Sequence, residues 1–228
     1  MTATGTASAA LRAKLALLDP GLRAATAALW RPDGLRERYP AYLRTMHALV
    51  RASVPLMERA ARRCAELGPG DPVAGPLRRY LLAHAEEERG HDDWLLADLA
   101  AAGGGPPGGP PAPAVAELAG AQYYWIEHHH PVALLGYVAA LEGHAPAPWL
   151  ADRLAARTGL PAAAFRTVRA HAALDTGHLA DLDDLLDRLA LDRAQQAAVG
   201  LSALTATDRL TRLFRQLART DHRQGDAR

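Results

Sequence analysis

Residues 171–178 have the sequence His171-Ala172-Ala173-Leu174-Asp175-Thr176-Gly177-His178. Successive residues on an α-helix are about 100° apart, so Asp175 and His178 point within about 40° and 20° of His171. The three side chains therefore lie on one stripe of a helix. Two imidazoles and one carboxylate on such a stripe form half of a binding site for a first-row transition metal.

The same spacing occurs earlier in the chain, at residues 84–91, with His84, Glu88 and His91 as its members. Apolar residues flank both stretches at helical spacing, as expected for stripes that border the core of a bundle. Buried imidazoles and carboxylates need partners, and a metal ion satisfies several of them together. If the two helices face each other, four histidines and two carboxylates surround one point.

Composition favours a single all-α domain. The 228 residues are 49% hydrophobic and 22% charged, as in an ordinary soluble domain. Alanine, leucine and arginine dominate, which favours helices, and no stretch shows the period-two pattern of a strand. The net charge of +1 provides no basic field for nucleic acid.

The single cysteine, Cys64, excludes an internal disulfide and a cysteine-based zinc site, and suits a reducing cytosol. Met1 to Ala10 lacks the pattern of a signal peptide. The longest apolar run, Val132 to Leu141, is too short to span a bilayer. We therefore expect a cytoplasmic protein that uses neither a membrane nor nucleic acid as a partner; formation of a homodimer is left open.

The chain is predicted to have a flexible tail at residues 1–8, a single helical metal-binding domain at residues 9–219 and a second flexible tail at residues 220–228. Residues 103–113 form a loop because glycine and proline are concentrated there. One helix over 71–102 carries the first half-site and another over 162–189 the second. A further helix over 35–67 contains Pro55, which is predicted to kink or break it.

The donor types indicate which metal the site would hold. Without thiolates, a set of nitrogen and oxygen donors suits iron, manganese or zinc. Several carboxylates and histidines in a helical bundle favour a dinuclear iron or manganese site, and Glu88-x-x-His91 matches the Glu-x-x-His motif of such bundles. Glu142 follows the apolar segment 134–141, where a carboxylate needs a partner. It is therefore our candidate for the carboxylate that joins the two ions.

Other polar and aromatic residues have more ordinary interpretations. The run at residues 128–130, three histidines, cannot chelate one ion from a regular helix, because consecutive side chains point about 100° apart. Glu87 is an alternative to Glu88 as a metal ligand. Arg51, if it faces inward, could hold a substrate carboxylate. An apolar substrate pocket is plausible around Tyr123, Tyr124, Trp125, Val132 and Tyr137. Residues of these types at this spacing more often belong to the hydrophobic core.

The spacing and order of these residues resemble a known family, the haem-oxygenase-like di-metal oxidases, often described as iron-containing redox enzymes. The similarity rests on His171-x3-Asp175-x2-His178, on Glu142 in the preceding core helix and on His91, and extends over about residues 39–217. It implies an all-α, haem-oxygenase-like bundle of seven or eight helices. It also implies two iron ions, with manganese as the second option, and oxidation of an amino-acid-like or fatty-acid-like small molecule by O2 in a biosynthetic pathway.

The resemblance carries five metal ligands over to this sequence: His91, Glu142, His171, Asp175 and His178. Several members of the family have a glutamate two turns before the first histidine, where this sequence has His84. Either His84 or Glu88 then completes the site, and Glu58 on the earlier helix is a further candidate.

Three rival functions predict different properties. A haem-binding oxygenase on the same fold needs a proximal histidine, for which His47 is the early candidate. A thiamine-degrading relative needs a nucleophilic cysteine; Arg62 and Arg63 favour the thiolate of Cys64, but no histidine lies within a helical turn to act as its base. A helical metal-binding or partner-binding scaffold would bind metal without consuming O2.

Overall fold

The computed structural model describes residues 5–219, except for the side chain of residue 176. The α-helices within that range are α1 (Ala7–Ala16), α2 (Asp19–Leu29), α3 (Leu35–Leu67), α4 (Ala74–Glu87), α5 (His91–Ala101), α6 (Pro113–His128), α7 (Leu134–Glu142), α8 (Leu150–Thr158), α9 (Arg166–Arg188) and α10 (Arg193–Ala218). No strand occurs in residues 5–219, so the predicted all-α fold is confirmed. The described residues form ten α-helices rather than seven or eight, in part because one predicted helix is divided.

The first helix begins within the predicted N-terminal tail. α1 starts at Ala7, and Thr6 caps it by accepting a hydrogen bond from the backbone N–H of Ala9. Ser8 donates hydrogen bonds through its backbone N–H and its hydroxyl to the carboxylate of Asp187 in α9, over 2.8 and 2.9 Å. The predicted tails also cover residues 1–4 and 220–228, which lie outside the described residues.

The helix predicted over residues 71–102 is wrong as a single element. α4 ends at Glu87, Glu88 forms its C-cap, and α5 begins at His91. Between them, Gly90 has a φ of 86°, in the left-handed region that residues with a side chain rarely adopt. The chain therefore turns between Glu88 and His91, and these two side chains do not share a helical stripe.

Long helices hold the two half-sites against each other. α3 continues through Pro40 and Pro55, so the helix is not broken at Pro55. α3 packs against α4, α5 and α6, and α10 packs against α2, α6 and α7. α9 contacts α4, α5 and α7. The helices that carry the predicted half-sites are therefore neighbours, as expected.

The backbones of α7 and α10 lie close together at Gly136. A Cβ at this position would overlap the carbonyl oxygen of Val199 and lie 2.7 Å from the backbone nitrogen of Ala203. Only glycine, which has no side chain, allows this approach. The contact holds α7, and with it Glu142 at its last position, against α10.

Two of the connections between helices in the described chain are long and lack regular structure. Residues 104–112 join α5 to α6, within the predicted loop. Residues 143–149 join α7 to α8, and there His144 Nδ1 donates to the carbonyl oxygen of Ala140 while Nε2 lies 3.1 Å from Oδ1 of Asp19. None of the helices in residues 5–219 combines the length and the apolar character of a membrane span.

Candidate metal centre

The structure brings six of the seven predicted ligands together in two groups. The first cluster is His84, Glu88, Glu142 and His178, and the second cluster is Glu88, His91 and His171; within each, one donor atom per residue lies within 4.8 Å of the others. The donors come from α4 and its C-cap, α5, α7 and α9. Glu88 is the residue common to both clusters. Glu142, which we predicted to be the carboxylate that joins the two ions, belongs only to the first cluster.

The first cluster is buried and closely packed. The Nε2 atom of His84 lies 2.7 Å from Oε1 of Glu142. His178 Nδ1 lies 3.7 Å from the same oxygen of Glu142 and 3.8 Å from Oε1 of Glu88. The rings of His84 and His178 are edge to face, with centroids 4.7 Å apart. Two imidazoles and two carboxylates thus converge on one small volume.

Glu87 lies at the solvent side of the first cluster. Its side chain is 56% exposed, and Oε2 lies 3.6 Å from Nδ1 of His84 and 3.5 Å from Nε2 of His178. These are the ring nitrogens that do not face Glu142. A carboxylate beside the outer nitrogens of two histidines orients their rings and makes them better metal ligands. Glu87, the predicted alternative ligand, therefore lies behind the first cluster rather than within it.

Two buried atoms of the first cluster have no hydrogen-bond partner among the described residues: Oε2 of Glu142 and Nδ1 of His178. A buried polar atom without a partner is costly and rare in native structures. A divalent cation between them would satisfy both, because a carboxylate oxygen and an imidazole nitrogen are ordinary ligands for iron, manganese and zinc. The residues present therefore fit a metal ion.

The second cluster is formed where α5 and α9 meet. Oε2 of Glu88 lies 3.1 Å from Nδ1 of His91, and the rings of His91 and His171 are 5.2 Å apart at 75°. His171 donates from Nδ1 to the carbonyl oxygen of Thr167 over 3.0 Å. In a neutral imidazole this leaves the lone pair on Nε2, where a metal binds.

The charges of the centre compensate one another. Burial alone would lower the pKa of His84, but the hydrogen bond and charge of Glu142, together with other nearby glutamates, outweigh it and raise the pKa. Burial would raise the pKa of Glu88, but the hydrogen bond and charge of His91 and the charge of His171 contribute to lowering it. The pKa of His171 is lowered, chiefly by burial. Without metal, these shifts favour the charged form of His84 beside the carboxylates and the neutral form of His171.

Asp175, the seventh predicted ligand, lies beside the two clusters rather than within either of them. It is buried on α9 and lines the adjoining cavity. Burial, followed by the charges of Glu142 and Glu88, raises its pKa to about 8. The carboxyl group of Asp175 therefore lies where the clusters meet the cavity.

A cavity of about 330 Å³ adjoins the centre. The lining next to the clusters contains His84, Glu88, Glu142, His171 and Asp175, and no lysine or arginine belongs to the lining in the described residues. The other polar residues of the lining include Thr26, Tyr42, Ser53, Tyr137, His144 and Thr167. Its exposed lining residues are Ala145 and Trp149, in the link between α7 and α8. The rest of its wall is mainly apolar and includes Met46, Leu49, Val50, Leu56, Met57, Leu95, Leu134, Val138, Leu141, Val168, Leu210 and Phe214.

Other candidates named from the sequence lie elsewhere. Glu58 accepts a hydrogen bond from Arg89 and is in neither cluster. Arg51 is exposed and does not line the cavity, so the structure does not place it to hold a substrate there. His130 Nε2 lies 3.1 Å from Oδ2 of Asp71, which makes that histidine structural.

The predicted aromatic pocket is largely wrong. Tyr123 and Tyr124 are 39% and 57% exposed on α6, and Trp125 and Val132 do not line the cavity. Tyr137 does line it. Aromatic identity alone did not indicate which side of α6 faces the core.

The residues that the rival functions require lie outside the cavity lining. His47 is buried on α3, and burial is the main reason why its pKa is lowered. Burial raises the pKa of Cys64 to about 12, so the expectation that Arg62 and Arg63 favour its thiolate is wrong. In the described structure, His47 therefore does not face the cavity as a proximal haem ligand would, and Cys64 does not present a reactive thiol to it.

Sequence reasoning did not identify the contacts that surround the second cluster. Trp94 packs on the His91 ring with centroids 4.0 Å apart, and the guanidinium of Arg166 lies 4.7 Å from the centre of the Trp94 ring. Asp98 accepts a hydrogen bond from the backbone N–H of Thr167. One signal was available: Asp98 follows His91 by seven residues, as His91 follows His84.

Comparison with known proteins supports a family and a fold. A family model described as iron-containing redox enzyme matches residues 40–210. No curated protein matches the chain. A solved domain of unknown function with a heme oxygenase-like fold, from Shewanella denitrificans, is 19% identical, with a TM-score of 0.73 over 92% of this chain and 90% of that chain. A TenA homolog from Pseudomonas syringae pv. tomato is 14% identical, with a TM-score of 0.50 over 89% of this chain and 90% of that one. These structures show the predicted haem-oxygenase-like fold.

Proposed function

The chain belongs to the family of iron-containing redox enzymes, and on that premise we propose that it is a non-haem di-iron oxidase that uses O2 to oxidise a small molecule. The observation that carries the proposal is the shared glutamate. Glu88 contributes a donor to both clusters, so the two groups of ligands are adjacent rather than separate sites. Adjacent carboxylate and histidine clusters in a helical bundle are typical of dinuclear iron and manganese proteins.

The proposed ligand set distributes seven residues over two ions. His84, Glu142 and His178 would hold one ion, His91 and His171 the other, and Glu88 both. Asp175 is kept as the seventh ligand, because its carboxyl lies between the clusters and the cavity and senses the charges of Glu142 and Glu88. Ferrous iron bound there supplies electrons and open coordination positions for the reduction of O2. Manganese suits the same donors and is the second option.

The chain itself orients the donors and excludes water from them. Glu87 orients the two histidines of the first cluster from the solvent side. The carbonyl of Thr167 fixes the Nδ1–H tautomer of His171. The apolar wall of the cavity keeps the clusters away from bulk solvent and holds a substrate against their open side.

The cavity also favours one of the two substrate classes that the resemblance implies. The carboxylates of its described lining all belong to the proposed metal centre, and His144, which also lines it, is paired with Asp19. The described part of the lining holds no lysine or arginine that could pair with a carboxylate remote from the metals. A fatty-acid-like molecule, with one polar head and an apolar tail, matches this distribution better than an amino acid with two charged groups. O2 and such a small molecule are the proposed partners.

Anaerobic loading with ferrous iron, followed by metal analysis and a single exposure to O2, tests the proposal. We expect about two irons per chain, as a dinuclear centre requires, and O2 consumption faster than that of free ferrous iron or of zinc-loaded protein. Glu58→Ala is the control and should behave as wild type, because Glu58 pairs with Arg89 outside the clusters. Retention of at most one zinc, with iron excluded, would end the di-iron proposal; bound iron without faster O2 consumption would indicate a scaffold.

A further inference from the structure

Asp98 is a fully buried carboxylate that belongs to neither cluster and does not line the cavity. Burial raises its pKa because the charged form loses its hydration, and Oδ1 has no hydrogen-bond partner among the described residues. An acid in such a place lowers the stability of a fold, where an apolar residue would simply pack. Its other oxygen indicates what the residue does.

Oδ2 of Asp98 accepts a hydrogen bond from the backbone N–H of Thr167 over 2.8 Å. Thr167 is the second residue of α9, where backbone N–H groups have no partner within the helix. Phe165, in the N-cap position of α9, provides no side-chain hydrogen bond. Asp98 therefore caps α9 from a different helix, with its charge at the positive end of the helix dipole.

The capped residue is also the one that orients His171. The carbonyl of Thr167 accepts the Nδ1–H of His171, one turn further along α9. A displacement of the first turn of α9 would therefore move or release this hydrogen bond, and with it the direction of Nε2.

Asp98 lies on the helix that carries the other imidazole of the second cluster. It follows His91 by two turns, so their directions on α5 differ by only about 20°. Trp94, one turn before Asp98, packs between His91 and the guanidinium of Arg166, the first residue of α9. Two neighbouring contacts thus join the start of α9 to α5 and set how His91 and His171 face each other.

We propose that Asp98 is a positioning residue for the metal centre, which fixes the start of α9 so that His171 meets His91 with Nε2 free to bind metal. The inference rests on the proposed function only in treating the second cluster as a metal site. The tautomer of His171 is a property of the chain and is measurable without metal.

The test compares wild type, Asp98→Ala and Asp98→Asn as full chains labelled with ¹⁵N-histidine. In metal-free protein, NMR should show His171 protonated on Nδ1 in wild type and in Asp98→Asn, which keeps an oxygen acceptor, and a mixture of tautomers in Asp98→Ala. With Zn(II) as the probe, calorimetry should show one of two binding events weakened by about 10- to 100-fold in Asp98→Ala, the usual effect of removing a residue that orients a ligand. The other event should be unchanged.

Asp192→Ala is the matched control, because Asp192 caps α10 by accepting the backbone N–H of Gln195 over 2.8 Å and belongs to neither cluster. It should keep the wild-type tautomer and both zinc affinities. Protonation of wild-type His171 on Nε2 overturns the proposal, even when Asp98→Ala does not fold. The proposal is also overturned if Asp98→Ala keeps the wild-type tautomer of His171 and the wild-type zinc affinities, or if Asp192→Ala loses them as Asp98→Ala does. Failure of the proposed function would be distinct: no iron or no O2 consumption, with the tautomer result intact.

Discussion

Glu88 and His91 contact each other across the turn that separates α4 from α5, with 3.1 Å between Oε2 and Nδ1. The other oxygen of Glu88, Oε1, lies 3.8 Å from Nδ1 of His178. One carboxylate thus faces both clusters with different oxygens, as a ligand that bridges two cations does. The turn at Gly90 makes this arrangement possible, because it directs His91 away from the stripe of α4.

Removal of Glu88 should affect both metal ions, whereas removal of one histidine should affect one. We expect His178→Ala and His171→Ala each to retain about one iron per chain, and Glu88→Ala to retain less than about one, because both clusters lose a donor. Metal analysis after anaerobic ferrous loading measures the difference. Glu86→Ala, at an exposed position near the end of α4, is the control and should bind as wild type. One ion held at full occupancy in Glu88→Ala would contradict the shared position.

The carboxyl of Asp175 should destabilise the metal-free fold at neutral pH. Burial and the charges of Glu142 and Glu88 raise its pKa to about 8, above the usual value of an aspartate. The folded chain therefore binds a proton that the unfolded chain releases, so the free energy of unfolding falls as pH rises from about 4 to about 8. We expect Asp175→Asn to stabilise metal-free protein by on the order of 2 kcal/mol at pH 7.5, and by much less near pH 4.

Urea denaturation at the two pH values measures this effect. Asp152→Asn is the control, because the Asp152 side chain is 79% exposed in a surface pair with Arg169 and should change stability little at either pH. A stabilisation by Asp175→Asn that is equal at both pH values would show that charge is not its cause.

Replacement of Gly136 by alanine should weaken the fold. A methyl group there meets the backbone of α10 at Val199 and Ala203, which cannot move aside as a flexible side chain does. We expect Gly136→Ala to lower the free energy of unfolding by about 1–3 kcal/mol. Gly120→Ala is the matched control within α6, where a Cβ meets nothing within 4 Å, and should raise it by up to about 1 kcal/mol. Equal effects in chemical denaturation would contradict the close contact of α7 and α10.

The sequence predicted which of these side chains lie together better than it predicted their geometry. His171 and His178 lie on one continuous helix, so their spacing was sufficient to place them on one face, two turns apart. His84 and His91 are also brought together, but through a turn and not through a shared stripe. A glycine inside a helical pattern is compatible with a continuous helix or with its end, and Gly90 alone did not decide between them.

The tertiary relationships could not be predicted, because they depend on how helices meet. The shared position of Glu88 follows from the turn after α4, which the sequence pattern presented as helix. Asp98 showed a seven-residue spacing from His91, but its bond is to Thr167, 69 residues away in the chain. Spacing identifies residues on one face of a helix; it does not identify the backbone group that packs opposite them.

Val138 is the residue through which the role of the cavity is most directly tested. It lies one turn before Glu142 on α7 and lines the cavity, but it provides no donor to either cluster. A phenylalanine there would extend into the cavity and leave the ligands in place. The cavity of about 330 Å³ has room for the added atoms, so the cost in stability should be at the low end of the range for enlarged core residues, about 1 kcal/mol.

We expect Val138→Phe to bind two ferrous ions as wild type does and to bind octanoate at least about tenfold more weakly, because the ring occupies the space of the alkyl chain. Quenching of tryptophan fluorescence reports the binding, since Trp30 lines the cavity. L-leucine should bind weakly to both proteins, because the described lining offers no lysine or arginine for its carboxylate. Leu201→Phe, on an exposed position of α10, is the control for the added ring. Unchanged octanoate binding in Val138→Phe would show that the alkyl chain lies elsewhere, and stronger binding of L-leucine than of octanoate by wild type would reverse the proposed substrate class.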